Sequence, residues 1–477
     1  MYDLLNGKST QNSYRRFANF FFILALLFGL LLIFLEPPFV CPDENAHFAN
    51  ICRISRGGLF ADVQDGKVGA WLSAEEYDFL ASYGGIYNGQ GTAVRFDYHT
   101  AWDLMGRAPS DEMVFFASHH AAINPTPYLP ASFVVAIMRF FLGGVNAYEI
   151  LLISKIANLF FYAAVTRWAL LKTGAFRHTM FLLALMPMAI FQGASTSYDA
   201  ILIAVSFLLF AYATKILCAA EEYRITREDV IAICLACGIL IGCKIAYAPL
   251  ILILLSICVK KFGGWKSWGI CVGAVVGAGV LFYLIPALVT AQITSGVETI
   301  LSEEQIAQKA FFRSNIWHFP VVIFRTVDHF GAYWIESFIG ILGWLDTRFP
   351  RPFLFLFFVI STLNAVIDAC SVEGIRWKTR VCSLAGVLIF FVGTLYTMYV
   401  EWNPVLVGIV GGDIAYGGQG RYFIPVALFV LIAISNPLLR RVRCKERIEA
   451  VRQPTVCITA ILSLCMTVLL ILVRYWA

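Results

Sequence analysis

Residues 17–48 read FANFFFILALLFGLLLIFLEPPFVCPDENAHF, a long hydrophobic run that ends in a short acidic motif. The run is long enough to cross a bilayer as a helix, and it should meet water where the prolines begin. Pro42 suits the first position of a new helix. In that helix Asp43, Glu44 and His47 would share one face, because residues three and four apart are neighbours. Two carboxylates and an imidazole at a membrane surface indicate acid–base chemistry or a metal site, unless the acids only stabilise the helix N-terminus.

The composition indicates a membrane protein. Of the 477 residues, 59% are hydrophobic and 14% are charged, and the mean hydropathy is +0.74, whereas soluble domains have about 25% charged residues. We predict one all-α polytopic membrane domain over residues 1–477, with about eleven transmembrane helices. The predicted spans are 17–36, 147–171, 177–194, 199–218, 229–243, 246–259, 268–290, 352–370, 381–400, 421–438 and 455–475. The net charge of +5 does not indicate a nucleic-acid partner, because the basic residues lie in short loops.

The segment 127–142 decides the predicted orientation. It is apolar but only about 16 residues long, which is marginal for a span, and it contains Arg139 and two prolines. We therefore place it at the membrane interface, or re-entering it, rather than across the bilayer. With a cytoplasmic N-terminus, all basic clusters then lie inside, as the positive-inside rule requires. The clusters are Lys172 and Arg177; Lys215, Arg224 and Arg227; Lys260, Lys261 and Lys266; Arg376, Lys378 and Arg380; and the basic residues of 440–452.

The outer face receives two long loops, residues 37–146 and 291–350, and loops of this length are usually functional. Several polar residues lie at span ends on the same face. Asp199 could be a helix cap, Lys244 could be a snorkelling side chain, and Arg421 could be an ordinary boundary residue.

Lys155 is the side chain that most strongly suggests a site within the membrane. It stands one or two turns inside its span, where a charge is costly and marks a site by default, and Asn158 follows on the same face. Carboxylates close to such cations suit a lipid-phosphate substrate, because cations hold phosphate and a carboxylate accepts a proton. This chemistry leaves sugar transfer, phosphate hydrolysis and transport open.

The order of several motifs resembles a large bacterial family of membrane proteins, domain of unknown function 2142. The motifs are Pro42-Asp43-Glu44 with His47-Phe48; Met186-Pro187-Met188 through Ser195, Ser197 and Asp199; Lys244 with Tyr247 and Pro249-Leu250; GILGWLD at 340–346; and GQGRYF at 418–423. They extend from about residue 36 to residue 435. Lys155 departs from the family pattern, in which arginine is expected; lysine keeps the charge but loses bidentate phosphate binding.

That family is in turn similar to the C-type (GT-C) glycosyltransferases. The resemblance implies a GT-C-like fold with two large extracytoplasmic loops that carry interface helices. It implies an inverting glycosyltransferase in the bacterial cytoplasmic membrane, with the active site facing outward. The donor would be a polyprenyl-phosphate sugar, and the acceptor a cell-surface glycan, a lipid-linked saccharide or a protein. The lipid bilayer would be a further partner.

The resemblance assigns roles to the candidate residues. Asp43 would be the general base, with Glu44 as the alternative. Outer cations would hold the leaving phosphate. The full set of predicted substrate-binding residues is His47, Lys155, Asn158, Asp199, Lys244, Tyr247, Gln419 and Arg421. A divalent cation, Mg²⁺ or Mn²⁺, is left open, with Asp43, Glu44, His47 and Asp199 as its ligands. The alternative function is a transporter or flippase for a lipid-linked saccharide.

Overall fold

The computed structural model of the chain describes residues 2–85, 95–297, 302–435 and 446–476. The first part of the predicted basic cluster, 440–445, lies outside these residues. In chain order the helices are α1 (Tyr2–Leu35), α2 (Glu44–Ser55), α3 (Ala74–Tyr83), α4 (Tyr98–Met105), α5 (Leu129–Leu142), α6 (Ala147–Lys172), α7 (Arg177–Ala184), α8 (Pro187–Gly193), α9 (Asp199–Cys218), α10 (Arg227–Cys243), α11 (Trp265–Gly279), α12 (Ile285–Ile293), α13 (Glu303–Ser314), α14 (Phe319–Gly340), α15 (Arg351–Ser371), α16 (Trp377–Thr397), α17 (Asn403–Val407), α18 (Ala427–Ile434) and α19 (Glu446–Tyr475). The strands are β1 (Asp62–Gln64), β2 (Lys67–Ser73), β3 (Met113–Ala117), β4 (Ile341–Leu342) and β5 (Thr347–Arg348).

The chain is a polytopic membrane protein, because seven helices in the described part are long and apolar enough to cross a bilayer. They are Asn12–Leu35 of α1, α6, α9, the continuous helix Trp265–Gly296, Arg351–Cys370 of α15, the helix Trp377–Val407, and Val451–Tyr475 of α19. Of these, α9 is the most enclosed, with α6 and α10 packed against it. The helix Trp265–Gly296 lies at the periphery of the bundle, and none of the residues in its most hydrophobic stretch is buried.

The other four predicted spans are shorter or broken segments. The segment 177–194 divides into α7 and α8 at Pro187, which has no N–H to donate to the preceding turn. The segment 246–259 forms the 3-10 helix Ile245–Ser256 with Pro249 inside it. The helices α10 and α18 have 17 and 8 residues in the described part of the chain. The structure therefore supports seven of the eleven predicted crossings by length.

The loop between α1 and α6, which the sequence predicts to lie outside, contains a small β-sheet, and β4 pairs with β5 in the loop 291–350. The prediction of an all-α chain was therefore wrong in both loops. The antiparallel order is β1-β2-β3. The β1–β2 hairpin turns at Asp65-Gly66, where both residues have positive φ, as a two-residue turn between twisted strands requires. The ring of Trp71 on β2 packs edge-on against Phe115 on β3.

The helix α5 has 14 residues, which is too short for an upright span. Its aromatic residues Phe133, Phe140 and Phe141 are exposed. Its Arg139 instead turns towards the loop and pairs with Glu76 of α3 at 2.5 Å. The position of α5 at the membrane interface stays a prediction.

Two π-helical turns attach the two long loops, 37–146 and 291–350, to the bundle. At Val280–Leu284, the carbonyl of Phe282 accepts hydrogen bonds from Asn124 Nδ2 at 3.0 Å and Thr126 Oγ1 at 2.9 Å. At Met398–Trp402, the carbonyl of Tyr399 accepts one from Gln308 Nε2 of α13 at 3.1 Å. A π turn shifts the local i→i+4 bonding pattern, which leaves room for such outside donors.

The basic loops meet one another at one end of the bundle. Lys172 lies 2.5 Å from Glu228, and Arg376 lies 2.6 Å from Glu221. At the other end, Trp476 Nε1 donates to the carbonyl of Leu35, so α1 and α19 finish together. The grouping agrees with the one-sided charge distribution in the sequence.

Cysteine labelling should separate the two ends. We expect a membrane-impermeant maleimide to label Trp102→Cys and Trp317→Cys in intact cells, because both side chains are exposed in loops that are predicted to lie outside. Glu222→Cys, exposed in the basic end, should react only after the membrane is opened. The native cysteines would be replaced first, and labelling of position 222 in intact cells would overturn the orientation.

Candidate functional site

Asp43 lies just before α2 and faces outward. The helix begins at Glu44 rather than at Pro42, and Asp43 takes a left-handed conformation with φ of 65°. Its side chain makes no capping hydrogen bond and is 53% exposed. Asp43 and Glu44 therefore point in different directions, which corrects the expectation that they share a face with His47. A left-handed non-glycine residue is uncommon and marks a position that the surrounding structure imposes.

Arg421 is the buried cation that Asp43 contacts. Its Nη2 lies 3.3 Å from Asp43 Oδ2, and its Nε lies 3.7 Å from Asp199 Oδ2. Gly420 allows this placement, because a Cβ there would lie 2.1 Å from the carbonyl of Trp334. The Nε and Nη1 atoms of Arg421 have no hydrogen-bond partner among the described residues. The guanidinium thus joins two carboxylates and keeps spare donors for an anion.

Asp199 and Lys244 lie next to Asp43 and Arg421, and these four residues form what we call the outward cluster. Asp199 is the first residue of α9 and follows the N-cap residue Tyr198, so its side chain does not cap the helix; its N–H donates to Ser197 Oγ at 3.2 Å. Lys244 Nζ lies 4.4 Å from the ring centroid of Tyr422. Within the described part of the chain Lys244 makes no ion pair. A lysine that rests on an aromatic face remains available to a phosphate.

Behind this cluster, Glu44 and Lys155 form a buried ion pair. The side chains are 0% and 1% exposed, and Lys155 Nζ lies 3.2 Å from Glu44 Oε1. Glu36 approaches the same ammonium at 3.5 Å. The N–H of Thr196 donates to Glu44 Oε1 at 3.0 Å, and Thr196 Oγ1 donates to the carbonyl of Glu44 at 3.0 Å. Neither Glu44 nor Lys155 therefore presents a surface to substrate, in contrast to the roles that the sequence suggested.

Two other predicted residues, Asn158 and Tyr247, support the cluster from inside, and a third, Gln419, has a buried side-chain oxygen. Asn158 Nδ2 donates to the carbonyl of Ser195 at 2.9 Å. Tyr247 is buried and donates its hydroxyl to the carbonyl of Tyr422 at 2.9 Å. The side-chain Oε1 of Gln419 is buried without a hydrogen-bond partner in the described residues. These contacts place Asn158 and Tyr247 in structural roles next to the site.

His47 is buried beside the cluster. Its Nδ1 lies 2.8 Å from the hydroxyl of Tyr128, and its ring meets Tyr198 edge-on. Burial lowers the pKa of His47 to about 3, although Asp43 acts in the opposite direction. The imidazole is therefore neutral at physiological pH and adds no charge to the site.

The predicted metal ligands do not converge. No group of three or more His, Cys, Asp or Glu side chains in the described residues is arranged to hold a metal ion. Glu44 is turned inward to Lys155, and Arg421 already contacts both Asp43 and Asp199. Because a guanidinium lies against these carboxylates, the donor set does not fit a divalent cation.

Glu36 and Thr196 complete the site without having been singled out from the sequence. Glu36 had a signal, since an acid directly follows the first hydrophobic run. Thr196 contributes through its backbone N–H as well as its hydroxyl, and a backbone donor leaves no trace in residue identity.

Comparison with known proteins identifies a family. The family model described as "Predicted membrane protein (DUF2142)" matches residues 26–430. No curated protein and no solved structure matches the chain.

Glu36→Gln should reduce the loss of stability at rising pH. Burial raises the pKa of Glu36 from 4.5 to about 8, although Lys155 opposes the rise. The folded protein thus keeps a proton that the unfolded chain releases, and it should lose stability from about pH 5 to about pH 8. Glutamine cannot ionise and should remove that contribution, which the apparent Tm in detergent at a series of pH values would measure.

Glu76→Gln is the matched control for this prediction. Burial alone would raise the pKa of Glu76, but Arg56 and Arg139 hold it below its usual value. Its contribution should therefore have the opposite sign, present at neutral pH and lost as the solution becomes acidic. An unchanged pH dependence in Glu36→Gln would contradict the assignment.

Proposed function

The chain belongs to the DUF2142 family of predicted membrane proteins, and on this premise we propose that it is an inverting GT-C-type glycosyltransferase. It would transfer a sugar from a polyprenyl-phosphate donor to a glycan, lipid-linked saccharide or protein at the outer face of the bacterial cytoplasmic membrane. The single observation that carries the proposal is the pairing of a half-exposed Asp43 with the buried Arg421.

The two charges suit the two halves of a displacement at the sugar. Asp43 would accept the proton of the acceptor hydroxyl as its oxygen bonds to the anomeric carbon. The bond from that carbon to the phosphate oxygen breaks, and the lipid phosphate leaves as an anion. Arg421 and Lys244 would stabilise this anion, which requires positive charge rather than a proton donor. Attack opposite the leaving group inverts the anomeric centre.

A groove in the bundle supports a lipid-linked donor. It has a volume of about 560 Å³ and lies between α14, α15, α16 and α18. Its lining is almost wholly apolar and includes Trp334, Phe338, Phe391 and Phe423. Because Phe423 is two residues from Arg421, a polyprenyl chain in this groove would bring its phosphate towards the cation.

Transport of a lipid-linked saccharide is the second candidate, since the same groove would suit a lipid that moves between leaflets. The position of the charges favours the enzyme. Asp43, Asp199 and Arg421 gather at the ends of helices, whereas transporter sites usually lie near the bilayer midplane, between repeated halves.

A detergent assay separates the two functions. The purified protein would be incubated in micelles with a panel of radiolabelled polyprenyl-phosphate sugars and a cell-envelope extract as acceptor. We expect a new glycosidic bond with at least one donor, because catalysis needs no sealed compartment. Flipping of the same lipids in proteoliposomes without any transfer product would overturn the proposal.

Asp43→Asn should lower turnover by about a hundredfold or more, the usual scale for a general base. Affinity for a short-chain polyprenyl phosphate should change little, because Arg421 and Lys244 hold the phosphate. Calorimetry or tryptophan fluorescence in micelles would measure the affinity. A cap could be replaced by asparagine without loss, but Asp43 makes no capping bond.

Asp413→Asn provides the matched control. Asp413 is another outward aspartate that pairs with an arginine, Arg325, in a different part of the outer face. Its variant should turn over normally. Normal turnover in Asp43→Asn as well would remove the catalytic role from this stretch.

A further inference from the structure

We infer that Lys155 is a positioning residue, which holds Glu44 inside the protein and thereby fixes Asp43 and Asp199 on Arg421. It would not bind the phosphate of the substrate. The inference rests on the proposed function only where it calls Asp43 the base; the positioning itself follows from the contacts.

Glu44 connects the two carboxylates of the outward cluster. It directly follows Asp43 in the chain, and its carboxylate and its carbonyl both accept hydrogen bonds from Thr196. Thr196 stands three residues before Asp199. The position of Glu44 therefore determines where the start of α2 and the start of α9 lie relative to each other.

Lys155 keeps Glu44 in this place. The Glu44 carboxylate is fully buried, and a buried charge without a partner is strongly unfavourable. The ammonium at 3.2 Å supplies the partner. One turn further along α6, Asn158 binds the carbonyl of Ser195, so the same helix face holds the turn before α9 directly through Asn158 and indirectly through Lys155 and Glu44.

A phosphate-binding role would require this pair to separate. Lys155 is 1% exposed and lies between Glu36 and Glu44. An ammonium that moved out to a phosphate would leave Glu44 buried and unpaired, which is strongly unfavourable. Arg421 has unpartnered donors and Lys244 rests on a ring, so both can meet an anion without such a loss.

The test compares Lys155→Met with the double variant Glu44→Gln/Lys155→Met. In the single variant the Glu44 carboxylate loses the ammonium that draws the start of α2 against α6, so both carboxylates should be displaced. In the double variant residue 44 is neutral, and the glutamine oxygen can still accept the Thr196 N–H. Lys215→Met is the matched control, because it breaks a comparable pair with the buried Asp229, at 2.6 Å, in the basic end of the bundle.

Hydrogen exchange measured by mass spectrometry gives a readout that needs no substrate. Lys155→Met should speed exchange in residues 41–48 and 194–199 together, and the double variant should restore both segments towards the parent. Lys215→Met should leave both unchanged. Unaltered exchange in these segments in Lys155→Met would overturn the inference.

Turnover and lipid-phosphate affinity separate positioning from binding. Lys155→Met should lower turnover by about a hundredfold, the scale of a misplaced catalytic group. Its affinity for a short-chain polyprenyl phosphate should stay within about threefold of the parent, since a lost charged contact would cost more. The double variant should recover most of the turnover. A large loss of affinity in both variants would overturn the inference in favour of direct phosphate binding.

Failure of the inference and failure of the proposed function look different. If the parent protein forms no transfer product, the proposed function fails, and hydrogen exchange still decides whether Lys155 positions the two segments. If Asp43→Asn turns over normally, only the role of Asp43 as the base fails. If Asp43→Asn is inactive but Lys155→Met exchanges and turns over normally, only the inference fails. Should Lys155→Met not fold, the double variant decides alone: it should bind the lipid phosphate and turn over, and loss of both would overturn the inference.

Discussion

The buried contact between Lys155 and Glu44 is the constraint on which the outward site depends. A charge at this depth must be neutralised, and the only way the described structure does so is to draw the start of α2 against α6. Once Glu44 is held there, the conformation of Asp43, the residue before it, is restricted. Asp43 takes a left-handed conformation, and its side chain contacts Arg421, which is 378 residues away in the sequence.

The sequence was sufficient for the membrane class and named most residues of the candidate cluster, but it did not show how these residues pair with one another. Lys155 could be identified from the sequence because a cation inside an apolar run is rare. Its partner could not be read from the pattern, since pairing with Glu44 depends on how two distant helices pack. The interpretation placed Lys155 on a phosphate, and the structure turns it towards Glu44 and Glu36 instead.

Local signals explain the other differences from expectation. Asp65-Gly66, with Val63 and Val68 two positions to either side, is a strong hairpin signal, and the expectation of an all-α chain did not include it. Pro187 and Pro249 interrupt two predicted spans, so hydropathy alone overestimated the length of regular helix there. The carboxylate partners of Arg421 could not be predicted from the sequence, because both are more than two hundred residues away in the chain.

The π turns have a consequence for how this protein can vary. At Phe282 and Tyr399 the bundle holds its outer loops through carbonyl groups, which every amino acid possesses. Mutations that alter the lipid-facing side chains of these spans leave the attachment intact, so evolution is free to change them. The contact depends instead on the donor side chains in the loops, Asn124, Thr126 and Gln308. Their amide and hydroxyl groups cannot be replaced so freely. Variation among relatives would therefore make the two spans look unconnected to the loops that they support.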